Sequence, residues 1–169
     1  MIHDQVITVH ISPRFFVAVL FAVVSNVSSA QQPEEVGIIT SAALFVRDSL
    51  GRHPIVIDAE YYRAGPAVTS VVADQVAAQL GMGRGRVEDL VRCAPPQGRE
   101  RHERCTMRGG VTIIAFGRPT IRDDAAELDL AYIFVDAQSR AVGVSLRLTL
   151  TRNDSGQWRV LDAQVTGAS

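Results

Sequence analysis

The sequence predicts an α+β fold, with two or three helices packed on a curved, mainly antiparallel sheet of four or five strands. Three observations carry that expectation. Residues 34–50 repeat apolar side chains at helical spacing, and residues 127–136 and 141–151 alternate apolar with polar positions. Asn153-Asp154-Ser155-Gly156 then joins the second alternating run to a third through a strong turn signal. Helices ahead of a strand meander must cover the apolar face of the sheet that follows.

The first helix is expected from about Glu34 to Leu50. Pro33 suits its opening turn, Glu34 and Glu35 complement the positive end of the helix dipole, and Gly51 follows as a stop. Ile39, Ala43, Val46 and Leu50 form one stripe, with Ile38, Ala42 and Phe45 beside it. Pro54 to Asp58 is short and β-branched and reads as a strand. A second helix is expected from about Pro66 to Leu80, because Val68, Val72, Val76 and Leu80 recur every four residues and Gly81 suits a left-handed cap. Val87 to Val91 adds a turn or two of helix, and Pro95-Pro96 opens a polar loop that runs to Gly109-Gly110. Val111 to Phe116 and the three runs already named supply four consecutive strands.

Ahead of this domain, residues 1–30 read as a cleavable secretion signal. Arg14 provides a positive charge, Phe15 to Val24 is an uninterrupted apolar run, and Ser28-Ser29-Ala30 places small residues before a cut. The run is about half the length a membrane span needs. The expected products are a signal at 1–30 and a single α+β domain at 31–169, in the periplasm or secreted after cleavage near Ala30. Membrane contact is expected only through the signal segment before it is removed.

All 17 basic residues are Arg, a bias that reads as a GC-rich bacterial genome. The formal net charge is −1, and it is unchanged when Arg14 and Asp4 leave together. So balanced a chain exerts no long-range pull on nucleic acid or anionic lipid. Cys93 and Cys105 are an even pair, which in an oxidising compartment predicts one disulfide. Closing so short a loop stabilises the fold by about 3 kcal/mol in the chain-entropy model. A metal pair would need further ligands, and only His102 is near. No cofactor and no metal is expected.

The element order over most of residues 31–169, with a closing hairpin carrying Gly156-Gln157-Trp158-Arg159-Val160, resembles the NTF2-like (cystatin-like) α+β superfamily of cone-shaped domains. The chain departs from that pattern in having one N-terminal helix where a pair is common. The resemblance implies a pocket inside the cone, where enzymes of the family place an acid or a histidine for proton transfer. No position matches a specific family motif, so no catalytic residue is carried over.

Several local patterns compete for a functional role. Val76 to Leu90 is similar to a helix-turn-helix, but Gly83 and Gly85 would each cost about 1 kcal/mol in its second helix, and an exported chain meets no operator. Gly81-x-Gly83-x-Gly85 follows a helix, whereas phosphate cradles follow a strand; it reads as a flexible connector. The loop carrying Arg99, Arg101, His102 and Arg104 alternates charge and is the candidate surface for a ligand or partner. Asp58, Glu60, Tyr61 and Asp129, with Tyr62, are the polar residues placed to face a cavity. The function expected is an exported bacterial binding domain for a small apolar ligand or an envelope protein. An NTF2-like enzyme with Asp58 or Asp129 as its acid is the alternative, and a structural envelope component is the third reading.

Overall fold

A computed structural model describes residues 13–51, 53–62, 64–95, 104–137 and 140–168, with side chains from Gln32 onward except at 104 and 109. The chain divides into two units, Met1–Pro33 and Glu34–Ser169. Helix α1, Pro13–Leu50, runs through the boundary. Pro33 therefore sits inside a helix and not at its first turn, which corrects the expected start. The apolar run 15–24 and Ser28-Ser29-Ala30 belong to the helical backbone, but their side chains lie outside those described. Among the described residues, no helix is long and apolar enough to cross a membrane.

In the unit from Glu34, Ile38, Ile39, Ala42, Ala43 and Val46 are buried to within 1%. This is the stripe expected from the periodicity. The helix ends at Gly51, whose φ of 80° a side chain would resist. Strand β1, Ile55–Ile57, follows. Helix α2, Ser70–Leu80, starts four residues later than expected. The reason is local: Val68 N–H donates to Phe116 O, which holds the preceding segment extended, and the Thr69 hydroxyl then caps the helix by accepting from Val72 N–H. Gly81, at φ 62°, ends it as expected.

The next segment differs most from expectation. Gly83–Arg84 is a strand, β2, paired in parallel with β1, and not a flexible connector. A Cβ at Gly85 would lie 2.8 Å from the Val56 side chain, so glycine here serves close approach. Helix α3 is the single turn Val87–Leu90. The expected polar loop instead begins and ends in an antiparallel ribbon, β3 (Val91–Ala94) with β4 (Arg104–Met107). Cys93 and Cys105 stand opposite each other in this ribbon and are joined by the expected disulfide.

Strands β5 (Thr112–Phe116), β6 (Thr120–Arg122), β7 (Ala125–Val135), β8 (Ala141–Arg152) and β9 (Trp158–Ala168) complete the sheet. Its order is β2-β1-β5-β7-β8-β9, with β6 on the same side of β7 as β5. The α+β class and the antiparallel meander are as expected, but the sheet has seven strands instead of four or five. The two additions, β2 and β6, are too short to show a period. The sheet is also mixed, since β1 lies parallel to both β2 and β5.

Alternate residues of a strand face opposite sides, so register divides the sheet into two faces. Leu128 and Leu130 of β7 pair with Leu148 and Leu146 of β8, and Leu150 pairs with Val160 of β9. All five leucines are buried in one cluster with α1, α2, Phe116 and Trp158. Each such side chain contributes about 1.5–3 kcal/mol of burial. The sheet strands and α1 are joined by polar contacts as well. Ser41 Oγ donates to Trp158 O at 2.8 Å, Arg152 pairs with Glu34 at 2.8 Å and Arg118 with buried Glu35 at 3.1 Å. The two glutamates thus serve as ion-pair partners within the helix, not as complements to its dipole.

Gly37 of α1 faces the Trp158 ring, and a Cβ there would meet ring carbon Cδ1 at 3.1 Å. Replacing Gly37 by Leu should therefore destabilise the domain by about 1–3 kcal/mol through overpacking. Gly37→Ala should fall near neutral, because about 1 kcal/mol of helix propensity offsets a displacement of a few tenths of an ångström. Urea denaturation of both variants checks this, and equal stability of Gly37→Leu and wild type would contradict it.

Candidate functional site

The sheet face away from the helices is covered only in part. After β1 the chain turns through Asp58, Ala59 and Glu60 and lays Tyr61 and Tyr62 beside β7. Asp58 is 4% exposed. One of its carboxylate oxygens accepts from Glu60 N–H at 2.8 Å and the other from Val87 N–H at 2.7 Å. It ties the end of β1 to the first residue of α3, supplying the cap that Arg86 does not. Glu60 is solvent-exposed and pairs with Arg86 at 3.1 Å.

Tyr62 lies against Gly117, where a Cβ would sit 2.8 Å from the ring and 2.9 Å from Asp129 O. Gly117 N–H donates to that same carbonyl at 2.8 Å and bridges the break between β5 and β6. Only a residue without a side chain lets the tyrosine and β7 approach together here. Asp129 is held by Arg147 from the neighbouring strand, at 2.8 Å from Nε and 3.1 Å from Nη2. Both Asp129 oxygens are thereby engaged, and the bond holds the Arg147 guanidinium above its ordinary range. Burial first, and then the Asp129 charge, push the Tyr62 phenol above its ordinary value. Burial alone does the same for Tyr132.

Beside Tyr61 the face is open. Ala131, Ser145 and Gly167 stand in register across β7, β8 and β9, with Gly143 next to Ser145 along its own face. Together with Tyr61 and Ile133 they line a shallow groove of about 280 Å³. A second depression of about 410 Å³ lies where α1 ends, lined by Ser49, Leu50, His53, Thr112, Phe134 and Asp136 among others. Serine, histidine and aspartate occur together there, yet they do not form a relay. Ser49 Oγ donates to Phe45 O, and Asp136 is bound by Arg140 at 2.8 Å.

Of the residues singled out from the sequence, Tyr61 and Asp129 thus lie on the open face, at the groove and beside it. Asp58 is a buried structural tie, and Glu60 is a surface ion-pair member. Arg99, Arg101 and His102 lie outside the described residues; Arg104 opens β4, and its side chain is likewise outside them. Among the described residues, no three His, Cys, Asp or Glu side chains are placed to hold a metal ion. Sequence reasoning missed Arg147 and the floor formed by Gly143, Ser145 and Gly167. The phase of β8 held that signal, since the odd positions between 143 and 147 oppose the buried leucines.

The Tyr62 shift sets a pH dependence. Below about pH 10 the phenol is neutral in folded and unfolded chains alike. As the pH rises past that value the unfolded chain ionises first, so stability falls until the folded phenol also titrates. Tyr62→Phe should shrink the late phase of the alkaline phenolate absorbance titration, leaving the share of Tyr132, and flatten part of the alkaline stability loss. An unchanged late phase in Tyr62→Phe would contradict this placement. No family model, curated protein or solved structure matches the chain, so the groove and its surroundings rest on their own geometry.

Proposed function

We propose that this chain is an exported binding domain whose ligand site is the groove beside Tyr61 on the open face of the sheet. The observation that carries the proposal is the registered row Ala131–Ser145–Gly167, a floor nearly bare of side chains next to an aromatic wall. Such a floor accepts a flat ring, with Tyr61 contributing apolar contact and Ser145 a hydroxyl. At about 280 Å³, the groove falls just below the usual range of ligand-site volumes, which fits a small ring system better than an extended molecule. Because Arg147 is neutralised by Asp129, the favoured ligand is uncharged.

This places the ligand on an open sheet face and not inside a cone of the NTF2-like kind. The enzyme alternative gains no support from Asp58 or Asp129, whose oxygens are all engaged. Export is part of the same proposal. It is supported by the 15–24 apolar run ahead of Ser28-Ser29-Ala30, and by a disulfide of the type that oxidising compartments favour.

A thermal-shift screen with neutral aromatic and alicyclic compounds tests the site, using the full chain and Ser145→Trp, which fills the groove. Binding compounds should raise the wild-type melting temperature by about 2 °C or more at saturation and leave Ser145→Trp unmoved. Equal shifts in the two proteins would place the ligand elsewhere, and no shift with any compound would remove the small-ligand reading.

A further inference from the structure

The sheet ends on β9, whose eleven residues pair with β8 on one side and, among the described residues, with no strand on the other. An open edge of this length presents a row of backbone donors and acceptors to any extended chain. Three large apolar side chains stand out as exposed among the described residues, and two of them, Leu161 at 68% and Val165 at 69%, are on this strand.

Their spacing points to a particular occupant. We propose that β9 docks on β9 of a second copy of this chain, antiparallel about a two-fold axis at Ala163. In that register Leu161 of each copy stands opposite Val165 of the other, and Asp162 opposite Gln164. Both exposed apolar residues then acquire an apolar neighbour, and the carboxylate faces an amide donor. Gln164 already donates to Asp162 at 3.1 Å within one chain, so the chemistry of that pair is suitable. Arg159 falls opposite Gly167, and no like charges stand directly opposed. The net charge of −1 adds little repulsion between copies. Backbone hydrogen bonds make the contact, and the apolar pairs fix its register.

The two irregularities of β9, between its pairings with Thr149 and Leu150 and with Ser145 and Leu146, flank the regular stretch Asp162–Val165. Bulges protect many edges by twisting them out of reach; here Leu161 and Thr166 are themselves the extra residues, and Asp162–Val165 between them keeps a regular register. The contact meets the groove beside Tyr61 at Gly167, which belongs to the groove floor and stands opposite Arg159 of the second copy, but cross-linking and sedimentation read the contact whether or not the groove takes a ligand.

Cysteine cross-linking of the full chain reads the register directly. The native cysteines are bonded to each other, so one introduced cysteine is the only thiol. Across the axis two Ala163 positions lie about 5 Å apart, within disulfide reach, whereas two Thr166 positions are about 20 Å apart along the strands. Ala163→Cys should oxidise to a linked dimer at least about tenfold faster than Thr166→Cys. Sedimentation velocity should show a concentration-dependent dimer that is lost in Leu161→Lys with Val165→Lys and restored in Leu161→Lys with Val165→Glu. These positions are exposed, and circular dichroism verifies that each variant folds. A monomer at every concentration, equal linking of the two cysteine variants, or a dimer unmoved by the paired lysines would overturn the proposal.

Discussion

The structure from Glu34 onward depends on one packing contact, the apolar stripe of α1 laid across the even-numbered residues of β7 and β8. Ile38, Ile39, Ala42, Ala43 and Val46 meet a sheet face whose leucines are buried to the last few per cent. Trp158, the first residue of β9, extends this contact to the neighbouring strand. Its ring sits against Gly37, its carbonyl accepts from Ser41, and Arg152 lies 5.3 Å over the ring while pairing with Glu34. Helix and meander are each amphipathic, and neither could bury its apolar side alone.

Everything on the other face follows from that commitment. With even positions taken by the core, odd positions of β7 and β8 were left for Asp129, Ala131, Gly143, Ser145 and Arg147. The crossover after β1 then brings Tyr61 and Tyr62 beside them, and Asp58 pins it by taking one backbone N–H from its own turn and one from α3. Gly117 completes the arrangement by admitting Tyr62 and the β7 backbone to the same place. A carboxylate that looked catalytic in sequence is thus occupied in holding the loop that forms the groove wall.

The long elements were legible because their periods are long enough to read. The stripe of α1, the alternation of β7 and β8 and the Asn153–Gly156 turn all appear where the residues place them. In that turn Asn153 Oδ1 accepts from Ser155 and Gln157 N–H, and Gly156 adopts φ 78°. Short elements were legible only where apolar residues marked them, as in β1 and the single turn of α3. Gly83–Arg84 has too few residues for alternation, and its glycines argue for a loop until Val56 is seen to need the space. The β3–β4 ribbon was hidden because Arg92, Cys93 and Ala94 are exposed and lack an apolar phase; its register comes from the Cys93–Cys105 pair. The site residues divided in the same way. Tyr61 and Asp129 carry evident chemistry, while Ser145 and Gly167 matter for what they lack.

Hydrogen exchange under native conditions tests the central contact most directly, since it reports which segments open together. The α1 amides from Glu34 to Leu50 should exchange in the same slow class as those of β5, β7 and the central part of β8, all losing protection in one cooperative step as denaturant is added. Loss of protection in α1 well before β7 and β8 would show that the sheet stands without the helix, and would contradict the account.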